Sequence, residues 1–210
     1  MPATNKAVLY SDANKGITNI AYNHLNLPVQ VDINNNTDNG TISYIYDAAG
    51  MKLRKIAVDN NTSITTTTDY AGNYIYENGS LKMFFHPEGY FDITGTPPSG
   101  ELEGAYVYQY KDHLGNIRLS YSDSDGNGVI SAQAEIVEEN NYYPFGLKHK
   151  GYNNIVSANA NSVASKFKYN GIELEESLGL NLYEMDLRQY DPAIARWTGI
   201  DPVTHYSQST

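Results

Sequence analysis

Between Asp123 and Glu135 the chain gathers the residue types that bind a hard cation. Asp123, Asp125 and Asn127 stand at alternate positions, Gly128 follows where the backbone must bend sharply, and Val129 and Ser131 continue the spacing. Alternate residues can turn their oxygens toward one centre, with Val129 offering its carbonyl, and calcium favours such an oxygen-only shell. The run matches the opening of an EF-hand loop up to Ser131. Its closing position, which a bidentate Glu should fill, is Ala134, and Glu135 comes one residue late. A local bulge that turned Glu135 inward would complete the shell, with weak affinity for calcium. The flanks read as β structure and not as paired helices. The same residues also make a tight Asp/Gly/Asn hairpin turn.

Two Asp-Pro pairs, Asp191-Pro192 and Asp201-Pro202, stand near the end of the sequence, with Arg188 and Arg196 close by. Asp before Pro is a common turn initiator, because its carboxylate accepts nearby backbone N–H groups. An Asp beside an Arg is likewise an ordinary structural pair. His24, His86, His113, His149 and His205 lack the spacing of a zinc site. No glycine-rich phosphate loop and no serine nucleophile elbow is present.

Composition narrows the function classes. The chain has 210 residues, which suits one large β domain or two small ones. With 40% apolar residues, no segment is long or apolar enough to cross a bilayer as a helix. The opening MPATNKAVLY has neither a basic nor an apolar leader region, so export would depend on a signal outside this sequence. A cysteine count of 0 removes disulfides and thiolate metal sites. The formal net charge of -10 argues against nucleic acid, whose phosphates require Lys and Arg.

Tyrosine is over-represented, with 19 Tyr against 5 Phe and 1 Trp. Its ring packs while its hydroxyl seeks a partner, which suits strands whose two faces differ. Tyr44-Ile-Tyr46-Asp47-Ala-Ala-Gly50-Met-Lys-Leu53 alternates, turns at Asp47 and Gly50, and returns. Tyr74 to Leu81 and Tyr108 to Ile117 repeat the scheme about Gly79 and Gly115, and Asn14 to Pro28 looks like an entry unit. Each reads as a hairpin, and their spacing falls in the range of repeat architectures. No long amphipathic helix is expected. Ser162 to Lys166 and Glu173 to Ser177 read as short helical turns. Residues 34–40, 59–68, 95–100 and 152–161 read as exposed loops, the last three as lateral insertions. Phe145, between Pro144 and Gly146, is expected to pack against the core.

The segment Arg188-Gln-Tyr-Asp191-Pro, then Arg196-Trp, then Asp201-Pro202, resembles the signature of the Rhs repeat-associated core domain of Rhs/YD-repeat proteins. Gln189 and Ala195 depart from the usual Tyr and Gly of that pattern. His113 and Tyr143-Pro144-Phe145-Gly146 sit in further family landmarks. The resemblance implies an all-β succession of antiparallel hairpins in an elongated, curved shell sheet. Residues 1–120 would be YD-repeat hairpins, 121–135 the acidic insertion and 136–210 the core domain, in one continuous β domain. The family includes polymorphic toxins and insecticidal toxin complex C components, so the implied partners are the rest of the parent shell and a C-terminal effector. The implied setting is secretion or the cell surface. The resemblance also implies aspartyl self-cleavage in the parent, with Asp191 and Asp201 as the carboxylate pair and Arg188 as their electrostatic neighbour. Two such carboxylates cannot both ionise, so one would act as acid while the other activates water. If Arg196 lies near a turn between antiparallel strands, positions 191 and 201 would face each other. Only Val203 to Thr210 follow, so this chain is expected to lack the bond to be cut. The alternative function is an extracellular carbohydrate-binding or adhesive surface built on exposed Tyr.

Overall fold

The computed structural model describes residues 9–95, 100–151, 157 and 160–199. Asp201 and His205 lie outside the described residues. Eleven strands form one antiparallel sheet whose spatial order is the order of the sequence. They are β1 (Ile17–Tyr22), β2 (Pro28–Asn34), β3 (Asn39–Tyr46), β4 (Lys52–Asp59), β5 (Ile64–Ala71), β6 (Tyr74–Glu77), β7 (Ser80–His86), β8 (Gly89–Gly95), β9 (Glu103–Lys111), β10 (Ile117–Tyr121) and β11 (Ile136–Glu139). A second sheet joins β12 (Leu174–Glu175), β13 (Leu182–Glu184), β14 (Gln189–Asp191) and β15 (Arg196–Trp197), again in sequence order. Helical structure among the described residues is confined to 3-10 turns at Ala164–Lys166, Tyr169–Gly171 and Ser177–Gly179. The expected all-β succession of hairpins is what the chain forms.

Local turn chemistry explains the hairpins. At Asn23–Leu27, Asp47–Met51, Asp112–Asn116 and Tyr143–Leu147 the first N–H donates to the fifth carbonyl, and the fourth N–H donates to the first carbonyl. The fourth residue has positive φ in each: Asn26 59°, Gly50 90°, Gly115 83° and Gly146 83°. This is a turn closed by a left-handed residue, the arrangement that matches strand twist in short hairpins. In the first three, the leading side chain also caps the turn. Asn23 Oδ1 accepts from the N–H of Leu25 and Leu27, Asp47 Oδ1 from Ala49 and Met51, and Asp112 Oδ1 from Leu114 and Asn116. The Tyr143 turn lacks that acceptor and has Pro144, whose ring presets the backbone. Asn78 (φ 52°) and Gly79 (φ 77°) make the two-residue link between β6 and β7.

The chain divides into two compact units, Met1–Thr67 with Glu175–Thr210, and Thr68–Leu174. In the first, Ile17, Ile20, Val31, Ile33, Ile42, Tyr44, Ala57, Leu180 and Leu182 form the core. In the second the core is Ile75, Met83, Tyr90, Val107, Val163 and Ala164. Both follow from period-2 alternation, because Ile42 and Tyr44, or Ile75 with its cross-strand partner Met83, project to one face. Each fully buried aliphatic contributes roughly 2 kcal/mol of burial. In the second unit the opposite face carries an in-register aromatic row: Tyr74 pairs with Phe84, Phe84 with Phe91, and Phe91 with Tyr106. The rings of Phe84 and Phe91 stack with centroids 5.2 Å apart.

Three expectations are corrected. Residues 59–68 are not a lateral loop: only 60–63 link β4 to β5, and the Thr run is strand. Thr68 is buried, since β-branched side chains fit a pleated surface. Residues 173–177 do not form a helical turn, because Leu174–Glu175 is strand and the 3-10 turn starts at Ser177. Phe145 is 61% exposed instead of packed in the core. Gly146 takes the interior position of that turn, where a Cβ would stand 2.6 Å from the Tyr169 ring. Residues 96–99, 152–156 and 158–159, from the other two proposed insertions, lie outside the described residues.

Candidate functional site

The acidic loop between β10 and β11 folds around its own carboxylates. Asp123 Oδ1 accepts the N–H of Asn127 and its Oδ2 that of Gly128, at 3.1 and 2.9 Å. Asp125 Oδ1 shares the Asn127 N–H, and its Oδ2 accepts the Asn127 side-chain amide at 2.7 Å. Asn127 Oδ1 in turn accepts the Val129 N–H. Glu135 does turn inward. It is only 3% exposed, with Oε1 accepting the Ser124 N–H at 2.7 Å and Oε2 the Ser131 N–H at 2.8 Å. The one-residue displacement is absorbed by a turn in which the Glu135 N–H donates to the Ser131 carbonyl at 2.9 Å. One oxygen from each of Asp123, Asp125 and Glu135 lies within 4.8 Å of the others. Those three form the acidic cluster of the loop. Asn127 is occupied with turn contacts, the Ser131 hydroxyl donates to the Gln133 side chain at 3.4 Å, and Val129 is exposed. The Glu135 carboxyl is held below the usual range, chiefly by the Ser131 N–H, against a smaller burial effect.

The terminal sheet positions Asp191. β14 pairs with β13 and β15, placing Tyr190 opposite Trp197 and Asp191 opposite Arg196. Arg196 therefore occupies the place across from Asp191. Asp191 is buried, and its Oδ1 accepts the N–H of Ala193 at 2.8 Å, as a turn-initiating Asp should. Its Oδ2 lies 3.1 Å from Lys15 Nζ, which also donates to the Leu180 carbonyl at 3.0 Å. The Arg188 guanidinium sits 4.1 Å from the centre of the Trp197 ring, a cation–π geometry. Sequence reasoning missed Lys15, because nothing local to it announces a partner so distant in the chain.

The same unit buries further charge. Lys55 and Glu175 form an ion pair at 2.5 Å with both side chains shielded, and Lys52 pairs with Glu184. Tyr44 lies in the same core, and burial first, then Glu184 and Glu175, pushes its hydroxyl well above the ordinary range. His113 is exposed in the Asp112 turn, where it completes a hairpin.

No family model matches the chain. Salivary gland surface protein 1 of Aedes aegypti is 27% identical over 181 residues, which are 82% of this chain and 4% of that protein. A crystal structure of TcdB2-TccC3-TEV superposes with a TM-score of 0.63 at 20% identity, covering 89% of this chain and 9% of that one. TcdB2-TccC3 without its hypervariable C-terminal region gives 0.61 at the same identity and coverage. The Tc holotoxin pore of Photorhabdus luminescens gives 0.59 at 19% identity, again over 89% of this chain and 9% of that one. The chain thus has an antiparallel hairpin-sheet fold, the fold of a stretch of these toxin components. It spans only a small fraction of the length of these proteins.

Proposed function

We propose that this chain is a structural segment of an Rhs/YD-repeat shell that encloses or presents a variable C-terminal effector. The observation that carries the reading is the TcdB2-TccC3 fold over 89% of the chain. The core signature at Arg188–Pro202 supports it. The partners of this reading are the remaining shell and the effector, and its setting is secretion or the cell surface. In the parent, Asp191 and Asp201 would act as a self-cleaving carboxylate pair with Arg188 beside them, releasing the effector. The test is expression of the parent with its downstream sequence. The effector segment should resist protease while the shell is folded and become sensitive once the shell is denatured. An effector equally sensitive in both states would defeat the enclosure reading.

A second reading concerns the acidic loop. The convergence of Asp123, Asp125 and Glu135 favours weak calcium binding, with Asn127, Val129 and Ser131 as additional oxygen donors. A bound ion would tie β10 to β11 by replacing loop hydrogen bonds with a common charge. An adhesive role toward glycans would instead use exposed rings such as Tyr106 and Tyr110, and a glycan array with this chain tests it.

A further inference from the structure

The second unit carries a cleft of about 260 Å³ that none of the readings above uses. Its floor is apolar, made by Phe85, Ile117 and Phe167. The Phe85 and Phe167 rings meet edge to face with centroids 4.9 Å apart, and Ile117 is fully buried, so the floor is a packed surface. Three polar residues also line it: His86, Gln109 and Lys111.

All three retain donors that the fold does not consume. His86 Nδ1 accepts the N–H of Glu88 at 3.3 Å, which places the ring proton on Nε2. That Nε2 is buried without a hydrogen-bond partner. Among the described residues the Gln109 side chain makes no hydrogen bond and Lys111 makes no ion pair, whereas Lys15, Lys52, Lys55 and Lys148 each have a carboxylate. An ammonium and an amide beside an apolar floor favour a ligand with a negatively charged acceptor at one end and an apolar body at the other.

We propose that this cleft binds a small organic carboxylate about the size of one amino acid. The apolar body lies against Phe85, Ile117 and Phe167, and the carboxylate pairs with Lys111 while taking a hydrogen bond from the Gln109 side-chain amide. The same chemistry is offered by a free aromatic or branched acid and by the carboxy-terminal residue of a polypeptide.

The test is an NMR titration of the isotope-labelled full chain, reading the amides of Gly89 and Gly171, which also line the cleft. The probes are 3-phenylpropionate, its primary amide, and a short acetylated peptide ending in a phenylalanine carboxylate. Saturable shifts at both glycines with the free acid are expected, with the amide about tenfold weaker, a difference typical of one charge-assisted contact. Lys111→Gln should remove that tenfold preference and leave the melting temperature unchanged, because Lys111 is exposed. Binding of the peptide as tightly as the free acid assigns the cleft to chain termini, and binding of the acid alone assigns it to small molecules. Absence of saturation with both acids, equal affinity for acid and amide, or an unchanged preference in Lys111→Gln would overturn the proposal.

Discussion

Lys15 and Asp191 form a largely shielded ion pair at 3.1 Å, with side-chain exposures of 14% and 6%. The lysine belongs to the turn that precedes β1 and the aspartate is the last residue of β14, so one contact fastens the first hairpin to the terminal sheet. Because Lys15 Nζ also donates to the Leu180 carbonyl, it satisfies a backbone acceptor and a carboxylate together.

Removing one partner of a shielded pair leaves the other charge without compensation, which costs about 3 kcal/mol. Lys15→Met is therefore expected to lower the denaturation midpoint strongly, and Asp191→Asn to do so less, since Asn retains the acceptor for the Ala193 N–H. Trp197, the single tryptophan, stands next to this turn and its fluorescence reports the loss. A double-mutant cycle that gives no coupling between Lys15 and Asp191 would show that the pair is not energetically linked.

Self-cleavage gives a sharper contrast. In a parent extended beyond Thr210, Asp201→Asn and Asp191→Asn should each abolish release of the C-terminal segment while the shell stays folded. Asn preserves shape and cannot exchange the proton. Release at the parental rate in Asp201→Asn would leave Asp191 with its structural roles alone, the turn and the Lys15 pair.

The shared turns predict a graded series. Asp47→Ala deletes an oxygen that accepts two N–H groups and should cost about 1 kcal/mol, whereas Asp47→Asn should cost much less, because Asn23 fills the equivalent place in its own turn. Gly50→Ala, at φ 90°, should cost about 1 kcal/mol or more from backbone strain alone. Urea midpoints of the three variants test the order. Equal losses for Ala and Asn at position 47 would contradict it.

Glu135 should make the loop acid-sensitive. Its carboxyl is held below the ordinary value of 4.5, so its contribution is fully present above that value and is lost as pH falls through the lower folded-state value. The stability gap between the parent protein and Glu135→Gln should be constant near neutrality and shrink below about pH 4.5. Calcium should raise the parent's melting temperature by mass action, and Asp125→Ala should abolish the rise. Identical midpoints in calcium and in chelator, for both proteins, would reduce the loop to a turn.

Alkali should act on the buried tyrosines. Burial pushes Tyr44 well above its ordinary value of 10.0 and Tyr22 up to about 12, the latter helped by Tyr10. A raised phenol stabilises the fold below the unfolded value and loses that contribution as pH climbs toward the folded one. Stability should hold to about pH 9 and fall above 10.0, with tyrosine absorbance showing an early exposed class and a late class released on unfolding. A single titration with all tyrosines near the ordinary value would refute the buried class.

The hairpins were legible because their cause is local. Asp47, Gly50, Asp112 and Gly115 carry their turn chemistry within five residues, and the alternation beside them selects the buried face. Glu135 was legible as a ligand type, although its inward path depends on a backbone turn at Ser131 that spacing does not encode. The Thr run from 65 to 68 misled because Thr is polar in composition and β-branched in shape, and packing followed the shape. Phe145 misled because hydrophobicity alone places it inside, while the left-handed Gly146 needed the space against Tyr169. Lys15 was illegible for a different reason: its partner is chosen by tertiary closure, and a lone surface-type lysine carries no mark of that.

A sheet whose strands lie in chain order has a bearing on how such proteins change length. Within each sheet every strand pairs with its sequence neighbours, so a duplicated or deleted hairpin changes few pairings and leaves the other registers intact. No crossover has to be rethreaded, and the strand pairings themselves close at short sequence separation, which favours folding by stepwise extension. A gene encoding this arrangement can therefore change its product in hairpin-sized increments, provided that each strand gained or lost respects the core that β1 to β4 share with Leu180 and Leu182.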